Sequence, residues 1–232
     1  MTLHRVIDKL HLLADPEKAA FKQAKYNIVT HNALGIYMKD LNILAGEIGK
    51  NTDLAIALFD TGLYDARILC SKLMEPKDVT EQMMEHWTPT FENWEICDSF
   101  SMGLYSKSNH AKNKIVEWSK RKSEFEKRAA FATMASYCMA DKKAGNEVYE
   151  AFFSLLVREA TDDRIYVKKA VNWALRSIGK RNVDLNKRAI EVAYKISEID
   201  NKAAQWIAKD AIKELTGEHL NVLDYPRTIY RP

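Results

Sequence analysis

Proline and glycine are scarce, five and eight in 232 residues, so few positions force the chain to turn. Cysteine is scarcer: Cys70, Cys97 and Cys138 lie far apart, with no CxxC pair and no histidine at ligand spacing. That excludes a zinc site and a disulfide framework, and fits a reducing compartment. No stretch reaches the roughly 18 apolar residues of a membrane span. The start, MTLHRVIDKLHLLADPEKA, lacks a secretory core and a small-residue cleavage site, so a cytoplasmic protein is expected. One-sided charge is missing too. A net charge of +3 and a pI near 8.6 are too mildly basic to argue for nucleic acid by themselves.

What is present is helical. Ala, Leu, Lys and Glu recur at spacings of three and four, and no convincing strand run appears. Breaks are expected near Asp15-Pro16, Ala33 to Gly35, Gly49 to Asn51, Thr61-Gly62, Glu75-Pro76, Thr88-Pro89, Lys107 to Asn109, Arg121 to Ser123, Asp141 to Asn146, Thr161 to Asp163, Gly179 to Asp184 and Glu198 to Asn201. Ser123-Glu124-Phe125-Glu126 has the form of a capping box. YDARILCSKL, EKRAAFATMA, VKKAVNWALR and AAQWIAKDAI resemble one another, the last three at a period of about 40 residues, that of HEAT-like helix pairs. Such pairs stack into a curved α-solenoid whose concave side is an extended binding surface. With no linker or low-complexity stretch, a single all-α domain over residues 1–232 is expected.

Basic residues gather between Arg164 and Arg188: Arg164, Lys168, Lys169, Arg176, Lys180, Arg181, Lys187 and Arg188, with Asp184 among them. In VKKAVNWALRSIGK, Val167, Ala170, Val171, Ala174, Leu175 and Ile178 form a core face at 100° per residue. Lys169, Trp173, Arg176 and Lys180 follow i, i+4, i+7, i+11 on the other side. Two readings stand: Trp173 packs on a neighbouring helix while the basic stems reach water, or the stripe meets a polyanion. In TFENWEICDSF, on a helix beginning near Pro89, Ile96, Cys97, Phe100 and Leu104 make the core stripe, and Trp94, Asp98, Ser101 and Tyr105 a second. Trp94 and Asp98 are then neighbours one turn apart. Arg128 stands near the start of KRAAFATMASYCMA, a helix apolar or small almost all round, so its guanidinium needs a carboxylate, a phosphate or water.

PEKAAFKQAKY with the later LGI, NWEICD, KRAAF and KKAVNWALRSIGK carry a resemblance to the AlkD family of bacterial DNA glycosylases, over roughly Pro16 to Leu215. The resemblance implies a HEAT-like repeat protein of base excision repair. Acting as a monomer, without metal or cofactor, it would hydrolyse the N-glycosidic bond of cationic N3- and N7-alkylated purines in double-stranded DNA. It assigns the catalytic aspartate to Asp98, the tryptophan one turn before it to Trp94, the active-site arginine to Arg128 and a second DNA-facing tryptophan to Trp173. Tyr26, aligned with a one-residue insertion, takes the place of a tyrosine near the lesion, and Arg176 and Lys180 keep the basic positions after Trp173; Lys169, on the same helical stripe, is a further candidate substrate contact. The alkylated base is already cationic before its bond breaks, so one carboxylate suffices, and no base flipping is required. The sequence departs where YMKDLN replaces a Thr-Pro and two arginines after LGI, and where Ser136 replaces a DNA-facing lysine. The alternative is a HEAT-like module that binds nucleic acid or protein without chemistry.

Overall fold

Asparagine, aspartate or threonine opens six of the helices. In the computed structural model, which describes residues 1–226, the side chains of Asp15, Asn51, Thr80, Asn93, Asn182 and Asn201 each accept from a backbone N–H of the first turn they precede. The described residues form thirteen α-helices and no strand. They are α1 (Leu3–Leu12), α2 (Pro16–Tyr26), α3 (Met38–Ile48), α4 (Thr52–Asp60), α5 (Tyr64–Leu73), α6 (Glu81–Trp87), α7 (Trp94–Gly103), α8 (Ala111–Trp118), α9 (Glu124–Ala140), α10 (Asn146–Glu159), α11 (Ile165–Gly179), α12 (Val183–Ser197) and α13 (Lys202–Leu215). Every expected break separates two of these helices.

Two differences are local. Pro89 opens a single 3₁₀ turn, Thr88–Thr90, and α7 begins only at Trp94, after the Asn93 cap. The capping box at Ser123 does not form, because Glu126 turns its carboxylate to Arg121 at 2.7 Å and the Ser123 side chain caps nothing.

The chain packs as two compact units, Met1–Asn109 and a second beginning at His110. In the first, α5 is the axis: nine of its residues are buried, among them Tyr64, Asp65, Ile68, Leu69 and Cys70, and α3, α4 and α7 pack on it. An aromatic cluster fills the core, with Phe59 and Trp87 stacked at 4.9 Å and Phe91 and Phe100 at 5.0 Å between ring centres. Residues between α2 and α3 are pinned to α5 by Asp65, whose carboxylate accepts from the amides of Leu34 (2.6 Å) and Ile36 (3.1 Å).

In the second unit α9 is the axis. Its residues from Arg128 to Cys138 are all buried, as the small-residue composition requires, and α8 and α11 pack against it. Between α11 and α12 lies Arg181, fully buried. Its guanidinium donates to the carbonyls of Cys138, Asp141 and Ala144 and sits 3.9 Å from the Tyr149 ring centre. One member of the basic run is therefore internal scaffolding. The cysteines Cys70, Cys97 and Cys138 are all buried. Burial pushes the Cys138 thiol up to about 12 and the Cys70 thiol higher still.

Gly35 marks the tightest approach. It sits at φ +80°, and a Cβ there would lie 2.1 Å from the Asp15 carbonyl oxygen and 2.8 Å from the Ala19 amide nitrogen. Gly35→Ala is expected to cost at least about 2 kcal/mol, because both the left-handed conformation and the backbone overlap must be relieved. The thermal midpoint should fall by about 4–8 °C; an unchanged midpoint would mean the loop rearranges freely.

Candidate nucleic-acid interface and catalytic face

The first unit sets Trp94 and Asp98 through the start of α7. Asn93 Oδ1 accepts from the amides of Glu95 (2.9 Å) and Ile96 (3.2 Å), and its Nδ2 donates to Val29 O (3.3 Å). The Tyr64 hydroxyl lies 2.9 Å from the same Oδ1 and 3.0 Å from Glu95 Oε2. Lys22 of α2, only 6% exposed, completes this network with Nζ 2.7 Å from Glu95 Oε2. Burial, and then the neighbouring Glu95 carboxylate, drives the Tyr64 phenol far above its ordinary value, so it serves here as a neutral hydroxyl. Beside it Arg67 grips Glu92 with both oxygens within 3.1 Å.

The consequence is a fixed indole. Trp94 is half-buried and its Nε1 donates to the carbonyl of Tyr26 at 2.9 Å, so two sequence-predicted residues meet in the structure. Tyr26 ends α2, its ring 46% exposed and edge-on to Phe21 at 5.9 Å. Asn27, in the left-handed region at φ 53°, terminates that helix and turns the Tyr26 carbonyl toward α7. Asp98 is half-buried one turn beyond Trp94 on the same face. The expected continuation of this stripe fails: Ser101 and Tyr105 are fully buried. Tyr105 belongs to a separate 3₁₀ turn after α7, where its ring joins the aromatic core.

In the second unit Arg128 is 7% exposed; its guanidinium donates to the Tyr166 carbonyl at 2.7 Å and lies 5.9 Å from that ring centre. Trp173 is half-buried on α11, while the six expected core residues of that helix are all buried. Lys169 is exposed. Arg176 and Lys180 differ from the sequence reading. Both pair with Glu214 of α13, and Arg176 also lies 3.6 Å from Asp210, so their charge is already answered. Arg164 is likewise held by Asp162, and Arg188 by Glu191. Ser136 is buried, so it presents no surface where a DNA-facing lysine would stand. Nothing among the described residues groups three or more histidine, cysteine, aspartate or glutamate side chains for a metal, and no helix among them is long and apolar enough to cross a membrane.

The Lys22, Asn93, Glu95 and Tyr64 network escaped sequence reasoning. The one local signal was Asn93 as a helix cap, masked by the nearer Pro89; a pair 73 residues apart has no periodicity to betray it.

Two measurements test these assignments. Lys22→Met leaves Glu95 buried and unpaired and should cost about 3–5 kcal/mol, read as a lowered urea midpoint. Adding Glu95→Gln removes the stranded charge and should recover part of that loss; a strictly additive double variant would deny the coupling. Around Glu214, burial raises the carboxyl pKa, but the hydrogen bonds from Lys180 and Arg176 outweigh it and hold the group below its ordinary 4.5. With the folded value depressed, this contribution is complete above the unfolded pKa and vanishes as pH falls through the folded one. Glu214→Gln should thus melt a few degrees below wild type at about pH 7, with the gap closing by about pH 3.

No protein in a search of curated sequences matches this chain. A solved structure described as "a new family of proteins related to the HEAT-like repeat DNA glycosylases with affinity for branched DNA structures" matches with a TM-score of 0.73 at 20% identity, covering 90% of this chain and 94% of that one. At that identity the likeness establishes the fold, a HEAT-like repeat. The family model for DNA alkylation repair enzymes matches residues 6–215. Nearly the whole described chain is thereby accounted for, and the protein belongs to the DNA alkylation repair enzyme family.

Proposed function

We propose that the chain is a DNA glycosylase that releases cationic N3- and N7-alkylated purines from duplex DNA, without turning the base out of the helix. The observation that carries this reading is the Trp94–Asp98 face of α7: a carboxylate one turn from an indole anchored by the Tyr26 carbonyl. Membership of a DNA alkylation repair enzyme family supports it.

The chemistry asks little of the protein. When the C1′–N bond of an alkylated purine breaks, both electrons go to the base, which leaves neutral, and the sugar becomes an oxocarbenium-like cation. Asp98 stabilises that cation by its field and orients a water whose oxygen bonds C1′, the released proton passing to the carboxylate and on to solvent. The Trp94 indole offers an electron-rich face to the cation, a contact of about 1–2 kcal/mol when desolvated. Its hydrogen bond to Tyr26 stops the ring from rotating away from that position. Arg128 and Trp173 take their DNA-facing roles from the family resemblance, with Lys169 as the exposed cation beside Trp173. Arg176 and Lys180 remain assigned to DNA by that resemblance, and reach phosphate only by giving up Glu214. Neutral damaged bases, lacking a charged leaving group, are poor substrates.

A second reading is favoured by the structural match, whose description names affinity for branched DNA structures: this chain would bind such DNA and release no base. One assay separates the two. Methylated duplex DNA incubated with wild type should yield 7-methylguanine or 3-methyladenine, and Asp98→Asn should slow release at least about 100-fold. Tight binding to a three- or four-way junction with no base released would replace the first reading by the second.

A further inference from the structure

The exposed face of α13 repeats a pattern already seen on α11. Lys202, Trp206, Lys209 and Lys213 follow i, i+4, i+7, i+11, the spacing of Lys169, Trp173, Arg176 and Lys180. At 100° per residue the four fall within an arc of roughly 60°, on the side away from the buried Ala203, Ala204, Ile207, Ala208, Ala211 and Leu215. All four are exposed, and Trp206 leaves 40% of a large apolar surface in water. Lys168 of α11 places its ammonium 5.0 Å from the Trp206 ring centre.

The two stripes differ in charge. On α11 Arg176 and Lys180 are answered by Glu214. On α13 none of Lys202, Lys209 and Lys213 has an ion-pair partner among the described residues. The acids of α13 do not cancel them, since Asp210 and Glu214 lie on the flank facing α11 and are held there by Asn172, Arg176 and Lys180. Lys168 adds a further ammonium at the indole, so a half-exposed aromatic lies among four cations. The lysines span about 16 Å of helix, the rise of roughly five base pairs. Ammonium groups beside an exposed ring match a phosphate backbone and its sugars.

We propose that this face of α13, with Lys168, is a docking surface for the phosphate backbone of duplex DNA, with Trp206 packed on the deoxyribose. The inference rests on the proposed function for its choice of ligand and adds a contact surface that the catalytic assignments do not include. Each lysine releases counterions on binding, so each steepens the salt dependence of affinity by about 0.9 in the log–log slope.

The experiment is a salt titration, from about 50 to about 200 mM, of the full chain binding a labelled, methylated duplex of about 20 base pairs and the matching single strand. The triple variant Lys202→Ala, Lys209→Ala, Lys213→Ala should flatten the duplex slope by about two to three. Lys187→Ala with Lys195→Ala, two exposed lysines on α12, is the control and should leave the slope within about 0.5 of wild type. Trp206→Ala should weaken duplex binding about five-fold or more without moving the slope. A triple variant with the wild-type slope overturns the proposal, as does a control pair that flattens it equally per lysine. Preferred, Trp206-dependent binding of the single strand also overturns it, in favour of base stacking. Base release is scored on the same samples: a protein that binds with the expected slopes yet releases no base keeps this surface while the glycosylase reading fails.

Discussion

One carboxamide holds the Trp94–Asp98 face of α7 together. Asn93 accepts two amides at the mouth of α7, faces the Tyr64 hydroxyl of α5 and donates to Val29 in the segment after α2, so three stretches distant in sequence meet at one side chain. Because Glu95 follows two residues later, the buried Lys22 ammonium is drawn to the same point and α2 is locked in place. The Trp94 indole then finds the Tyr26 carbonyl at hydrogen-bond distance. An aspartate one turn further inherits its position from all of these contacts. Precision at Asp98 is therefore a property of helix-end chemistry far more than of Asp98 itself.

The helical framework was legible because its punctuation is chemical. Asn51, Thr80, Asn182 and Asn201 stand where a first turn has unsatisfied amides, and each of those helices starts at the next residue. The buried stripe of α11 emerged complete from its spacing alone. What misled was local competition. Pro89 is a good first-turn residue, yet only one 3₁₀ turn forms before the chain extends through Phe91 to the stronger Asn93 cap. Ser123 and Glu126 had the right separation for a mutual cap, but Arg121 offers Glu126 a full charge.

The site was legible in its residue types and less so in its charges. A sequence shows that Arg176 and Lys180 share a stripe; it does not show that Glu214, more than 30 residues on, lies across from both. Nor does it show that Arg181 is swallowed by three carbonyls and two aromatic rings. Of the basic run counted from Arg164 to Arg188, and apart from the buried Arg181, the structure leaves Lys168, Lys169 and Lys187 without an ion-pair partner among the described residues. The exposed lysines of α13, Lys202, Lys209 and Lys213, are not among the residues that the sequence singles out.

The three thiols lead to a different kind of conclusion. The DNA alkylation repair family deals with damage made by electrophiles, and the thiolate is the form of cysteine that such reagents attack. Cys138, pushed up to about 12 by burial, is kept in the thiol form at neutral pH. Cys70 is held higher still, and Cys97 is buried in the same unit. Packing keeps all three thiols out of solvent and holds those of Cys70 and Cys138 un-ionised, so inertness toward electrophiles comes with the fold.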